Sequence, residues 1–269
     1  MRSIATRGST RGGWPAWAKA LLASLALAIV AGCQTGQLPD PNDPVSMGGV
    51  VSIAVLRRNL DYANRMLEHR AEVGEISSEE RMLLLQRYAE DLVQKIDVDK
   101  IAASQAWEYG DVFKTAGRWD LAKKAYEIAV QSPRNEDRRV NDTLRLALCE
   151  AQLGNVERAI ELARSVFDTD DRGTAPILPA VLLEIVPAAE GKGFDGELAD
   201  LLVDAIAQHE RTIVDPQSEG GKAFFRAKPI HYRDAYRKAI ALYTLADMPE
   251  KAEETRRAAQ EALGKFGRA

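Results

Sequence analysis

Few residues in this chain have the type and spacing that chemistry requires. The three histidines, His69, His209 and His231, lie far apart, and none falls in a His-Glu-x-x-His arrangement. They are read as surface or half-buried side chains, and no metal site is expected from them. No Gly-x-Ser-x-Gly turn is present to raise a serine nucleophile. Cys149 lies in the apolar-periodic run from Leu144 to Leu153 with no local base, so it reads as a buried small hydrophobe rather than a reactive thiol. The carboxylate pairs Glu79-Glu80 and Asp170-Asp171 fall at expected helix starts or loops. Negative charge there complements a helix N-terminus, and these are read as solvated. Gly220-Gly221-Lys222 lacks the length and the preceding strand of a phosphate-binding loop. No catalytic residue, metal or cofactor is expected.

The second cysteine is in a different setting. Arg2, Arg7, Arg11 and Lys19 form a positive N-terminus without an acidic residue, followed by an apolar stretch from Ala20 to Ala31. That stretch is shorter than the roughly 20 residues of a comfortable membrane span. It ends in Val30-Ala31-Gly32-Cys33, which, between these flanks, resembles the lipobox of bacterial lipoproteins. The other reading is an ordinary secretory signal or membrane anchor that holds a cysteine. The resemblance implies a diacylglyceryl thioether on Cys33, cleavage between Gly32 and Cys33, and usually a third acyl chain on the new amine. Two or three chains would hold the protein stably to a membrane, where one would not. The address implied is the cell membrane or outer membrane, facing the periplasm. Gln34, in place of Asp after the cysteine, points to the outer membrane under the enterobacterial sorting rule.

Removing residues 1–32 takes away four bases and no acid, which moves the formal charge from -4 to -8, with 40 acids against 32 bases. A mildly acidic chain offers nothing to neutralise phosphates, so nucleic acid is not an expected partner. With Cys33 acylated, only Cys149 is left, and no internal disulfide can form. The remaining 237 residues can bury a sizeable core in one elongated domain or two small ones. Residues 34–47 carry three prolines and almost no large apolar side chain. With Cys33 they read as a lipidated, flexible tether over 33–47, spanning on the order of 20 Å.

From Gly48 onward the patterning is helical. Val51, Val55, Leu60, Ala63, Met66 and Leu67 recur at three- and four-residue steps, and Ser77 with Glu80 resembles a capping box opening a second helix. Residues 48–97 are therefore expected to form an N-terminal helical hairpin. No alternating strand with a hairpin turn is found, and the fold class expected is all-α.

The segment Ala106-Trp107-Glu-Tyr-Gly110-Asp111-Val-Phe113-Lys114-Thr-Ala-Gly117-Arg-Trp119-Asp-Leu-Ala122-Lys-Lys-Ala-Tyr126-Glu-Ile-Ala129 resembles a tetratricopeptide repeat. Ala106 holds the family's Trp position, with Trp107 displaced by one. A second unit follows, in which Gly154, Ala159 and Ala163 repeat the spacing of Gly117, Ala122 and Tyr126 at a period of 37 residues. Degenerate third and fourth pairs are expected over 177–190 with 194–209, and over 232–245 with 249–263. The resemblance implies a helical-hairpin solenoid over 98–269. Thr212 to Pro229 is long for a repeat connection and reads as an inserted loop whose phenylalanines pack back onto neighbouring helices, a functional loop being the other reading.

Such a solenoid implies a groove lined by the first helix of each pair, suited to an extended peptide or partner helix. By family analogy the groove positions are Ser104, Trp107, Asp111, Lys114 and Thr115 in the first unit. In the second they are Asn141, Leu144, Leu148, Ala151 and Gln152. Trp107 is either a binding anchor or a cover for the preceding helix. The paired Lys, Arg and Asn with which chaperone-binding members grip a terminal carboxylate are absent from these positions. The resulting expectation is a membrane-anchored scaffold or adaptor that binds another protein, not an enzyme. The competing class is an envelope enzyme such as a cell-wall hydrolase, with Glu219 in the 212–229 loop as the residue to test.

Overall fold

The chain is described here from a computed structural model, which covers residues 52–169 and 177–266. The signal segment, Gly32, Cys33 and the tether lie outside the described residues. The described residues belong to one unit, Asp40–Ala269, and no strand occurs among them. The all-α expectation holds.

Helix α1 (Ile53–Glu72) buries Ile53, Leu56 and Leu60 along one stripe. Helix α2 (Ser78–Val93) starts where Ser77 Oγ accepts from the Glu80 backbone N–H at 3.0 Å. That bond satisfies one of the donors a helix start leaves open. Both helices pack on α3 (Ala106–Thr115), which pairs with α4 (Trp119–Gln131). Gly110 sits where the two cross: a Cβ there would lie 2.6 Å from the buried Tyr126 ring. Gly117 turns the chain at φ +69°, with the Arg118 N–H bonded back to the Phe113 carbonyl at 2.9 Å. This is the glycine-ended stop that an L side chain resists.

Helix α5 (Glu136–Gln152), capped by Asn135, is buried along much of its length from Val140 to Ala151. It packs on α4 and on α6 (Val156–Arg164), reached through Gly154 at φ +88°. A near-continuous helical run follows as α7 (Ile177–Ala180), a π-helical turn (Val181–Ile185) and α8 (Val186–Ala189). The Val186 N–H bonds the Val181 carbonyl, five residues back. The cause of the widened turn is in the sequence. Pro187 has no N–H to give the Leu183 carbonyl, and its ring crowds that carbonyl, so the turn loosens to relieve it.

Helix α9 (Asp195–Arg211) packs on α10 (Glu219–Leu245), and α10 on α11 (Pro249–Phe266). Here the structure corrects the sequence reading. The expected loop over 212–229 is a loop only to Ser218, and α10 then runs straight through Pro229. Ser218 Oγ caps the start by accepting from the Gly221 N–H at 2.9 Å. Gly221 is required beside it, because a Cβ would fall 1.9 Å from the Asp215 carbonyl. Phe224 is buried and packs its ring 4.5 Å from that of His209, as expected of it. Phe225 remains exposed.

Candidate functional site

One face of the unit is built by side chains from α1, α3, α5, the π-turn and α10. At its α1 end, Asp111 of α3 accepts from the Tyr126 hydroxyl at 2.8 Å and from Arg57 Nε at 3.3 Å, with Arg145 Nη1 3.1 Å away. Asp142 of α5 accepts from Arg138 at 2.5 Å, and Arg145 lies 3.7 Å from it. The guanidinium carbons of Arg57 and Arg138 stand 4.4 and 4.0 Å from the centre of the Trp107 ring. Three arginines from two helices thus converge on two aspartates and an indole. Burial pushes the Asp142 carboxyl up to about 6, with Arg138 and Arg145 pulling the other way. Burial also raises Glu108, one turn before Asp111. At Asp142 desolvation outweighs the pull of the two arginines.

Farther along, Lys114 of α3 pairs with Glu184 of the π-turn at 3.4 Å. Gln152 lines an open hollow of about 350 Å³ with Trp119, Leu148, Leu183, Glu184 and Pro187. A second hollow of about 470 Å³ lies beyond it, between Leu182 and Leu183 of the π-turn and Asp234, Arg237, Lys238 and Ala241 of α10. Leu183, shared by both hollows, is 63% exposed. This leucine is held outward between two depressions, with charges of both signs around it.

The positions named from sequence divide. Trp107, Asp111, Lys114 and Gln152 all reach this face. Trp107 is half-buried and touches both the preceding helix α1, through Arg57, and α5, through Arg138. Asn141 is half-buried and donates to the Asp137 carbonyl at 2.8 Å, within its own helix. Leu144 and Ala151 were expected in the groove and are instead core, because α5 is packed on nearly every side, whereas Leu148, though largely buried, reaches the hollow beside Gln152. Sequence reasoning missed Arg57, Arg138, Asp142, Arg145 and Leu183. Arg138, Asp142 and Arg145 stand at i, i+4 and i+7, a visible signal for one helix face, but nothing in the sequence said that Arg57 would meet them.

Other candidate groups are placed as follows. Glu219 is 90% exposed at the start of α10 and pairs with Lys222 at 2.8 Å, so no dry pocket surrounds it. Cys149 is fully buried, and burial pushes its thiol up to about 12, as expected of a packing residue. His69 is exposed and His231 half-buried. His209 departs from the expectation: it is 1% exposed, and neither ring nitrogen has a hydrogen-bond partner among the described residues. Burial, with Lys228 and His231 nearby, pulls it down to about 4. No group of three or more metal-ligating side chains occurs among the described residues, and no described helix is long and apolar enough to cross a membrane. No family model matches the chain, and no curated protein is similar to it.

Proposed function

We propose that this protein is a lipid-anchored, tetratricopeptide-like helical scaffold of the bacterial envelope that binds another protein along the face built by α1, α3, α5, the π-turn and α10. The observation that supports the reading is that side chains of α1, α3, α5, the π-turn and α10 meet along one face, joined there by Trp119 of α4. This is the arrangement by which stacked helical hairpins present an extended binding surface. The occupant suited to it is an extended segment or a helix, with an apolar side chain against Leu183 and polar groups meeting Lys114, Gln152 and Glu184. Its role is to hold that partner beside the membrane and not to turn over a substrate. The lipobox-like Val30-Ala31-Gly32-Cys33 supports the anchor, and Gln34 favours the outer membrane.

Two measurements test the two halves of the proposal. A pull-down from envelope extracts should retain a protein that is lost with Trp107→Ala and with Leu183→Asp; a retained set unchanged by both substitutions sinks the binding face. Metabolic labelling with a fatty acid should mark the native chain and not Cys33→Ser, which should also leave the membrane fraction. Unchanged fractionation of that variant would end the anchor reading.

A further inference from the structure

Helix α10 carries six bases, Lys222, Arg226, Lys228, Arg233, Arg237 and Lys238, against two acids, Glu219 and Asp234, in a chain whose acids outnumber its bases. Two of the six turn inward: Lys228 pairs with Glu210 of α9 at 3.1 Å, and Lys238 pairs with Glu190. The other four do not. At about 100° per residue, Lys222, Arg226, Arg233 and Arg237 fall within about 60° of arc, and all four are exposed. They form one outward edge, roughly 22 Å long at the helical rise. Phe225 and Ile230, 47% and 52% exposed, stand on its two flanks.

The acids near this edge do not cancel it. Glu219 pairs with Lys222 at 2.8 Å, and Asp234 serves both Arg233 at 3.0 Å and Arg237 at 3.4 Å. Asp215, in the turn before the helix, accepts from the Gln217 N–H at 3.0 Å. Arg226 has no ion pair among the described residues. Four cations thus face at most three carboxylates, and exposed pairs of this kind hold so weakly that the cations stay available to another anion.

A basic row with apolar flanks is the composition of helices that lie in the interface of an anionic bilayer, the apolar side chains among the headgroups and the cations on the phosphates. An acidic protein would answer the cations equally well, but only the membrane is brought there by the chain itself. The tether over 33–47 spans on the order of 20 Å, so the acyl anchor holds even a weak contact at high local concentration. We propose that the outward edge of α10 rests on the acidic phospholipids of the membrane to which Cys33 ties the chain. The inference rests on that anchor reading. Arg237 also borders the hollow at Leu182 and Leu183, so an edge seated this way sets that end of the binding face against the bilayer.

Cosedimentation with vesicles tests this on the chain from residue 33 onward with Cys33→Ser, which holds the whole unit Asp40–Ala269 and carries no acyl group. Circular dichroism confirms that each variant folds. Partition onto vesicles of phosphatidylglycerol and phosphatidylethanolamine should exceed that onto phosphatidylcholine by about tenfold or more, and should fall with added salt. Arg226→Glu with Arg233→Glu should abolish the difference, and Arg226→Lys with Arg233→Lys should keep it. Phe225→Ser with Ile230→Ser should weaken binding to the anionic vesicles. Arg87→Glu with Arg257→Glu, the same change of charge placed on α2 and α11, should leave it intact. Equal partition onto both kinds of vesicle overturns the proposal. So does a loss that Arg87→Glu with Arg257→Glu reproduces, since net charge alone would then be at work. An envelope protein whose capture depends on Arg226 and Arg233 while vesicle binding does not gives the edge to a protein, and equally overturns it. Because no acyl chain is present, failure with the vesicles strikes the edge alone, whereas a native chain that takes no fatty-acid label strikes the anchor alone.

Discussion

Asp142 and His209 titrate in opposite senses across the same acidic window. Asp142 is 3% exposed at its side chain, and its pKa in the folded chain rises from 3.8 to about 6. The native state therefore holds that proton longer than the unfolded chain does, and stability falls as pH rises from about 4 to 6. His209 is shifted down from 6.5 to about 4. Its contribution is complete above pH 6.5 and is lost as pH falls toward 4, because the unfolded chain then takes up the proton first. Each effect is on the order of 3 kcal/mol, so the two nearly offset one another between pH 4 and 6. Asp142→Asn should uncover the histidine, giving a stability that climbs steeply with pH over that window. His209→Phe, which keeps a ring beside Phe224, should uncover the aspartate and make stability decline. Urea denaturation at pH 4, 5, 6 and 7 measures both; parallel curves for the native chain and either variant would contradict the assignment.

Helix positions were readable wherever the hydrophobic period and a turn residue agreed. Gly117 and Gly154 turn the chain with positive φ, Ser77 caps, and Ala122, Tyr126 and Ala129 are buried as their spacing required. The failures have physical causes. Gly220, Gly221 and Pro229 all carry low helix propensity, and their sum argues for a loop. The structure overrides that sum with the Ser218 cap and the burial of Phe224 and Tyr232. Leu144 and Ala151 were assigned to a groove by analogy, but how many neighbours surround α5 is a tertiary fact with no local signature. The charged cluster was legible only in halves, since Arg57 lies 54 residues from Asp111. At the α3–α4 crossing the sequence and the packing agree closely enough to give a number. Gly110→Ala gains about 1 kcal/mol of helix propensity yet forces a methyl onto a ring fixed by its bond to Asp111. Overpacking costs about 1–3 kcal/mol, a net loss of up to about 2 kcal/mol, so the melting temperature should fall by up to about 8 °C, and a higher value would refute the close approach.

Across the whole molecule, the π-turn touches helices far apart in the chain. It links α3 through Glu184, α5 through the hollow at Leu183, and α10 through Leu182 and Leu183. A π-turn carries one residue more than the α-helix it interrupts. The flanking helices face the core correctly only because that extra residue is absorbed in the bulge. The segment Val181–Ile185 is thus a place where this chain can change length. Deleting Leu183 should remove the bulge's extra residue, with Pro187 still leaving one carbonyl unbonded but Ile177, Leu178, Val186 and Ala189 still turned inward, and the protein should fold with a cooperative melt. Deleting Leu146 from α5 instead would rotate every buried residue beyond it by about 100°, and no cooperative transition is expected. If both deletions fold equally well, or neither does, the bulge is not the insertion it resembles. Seen this way, the exposed leucine at the centre of the candidate face is the residue the fold can most easily gain or lose, so a lineage could acquire or discard that surface by a single three-base change.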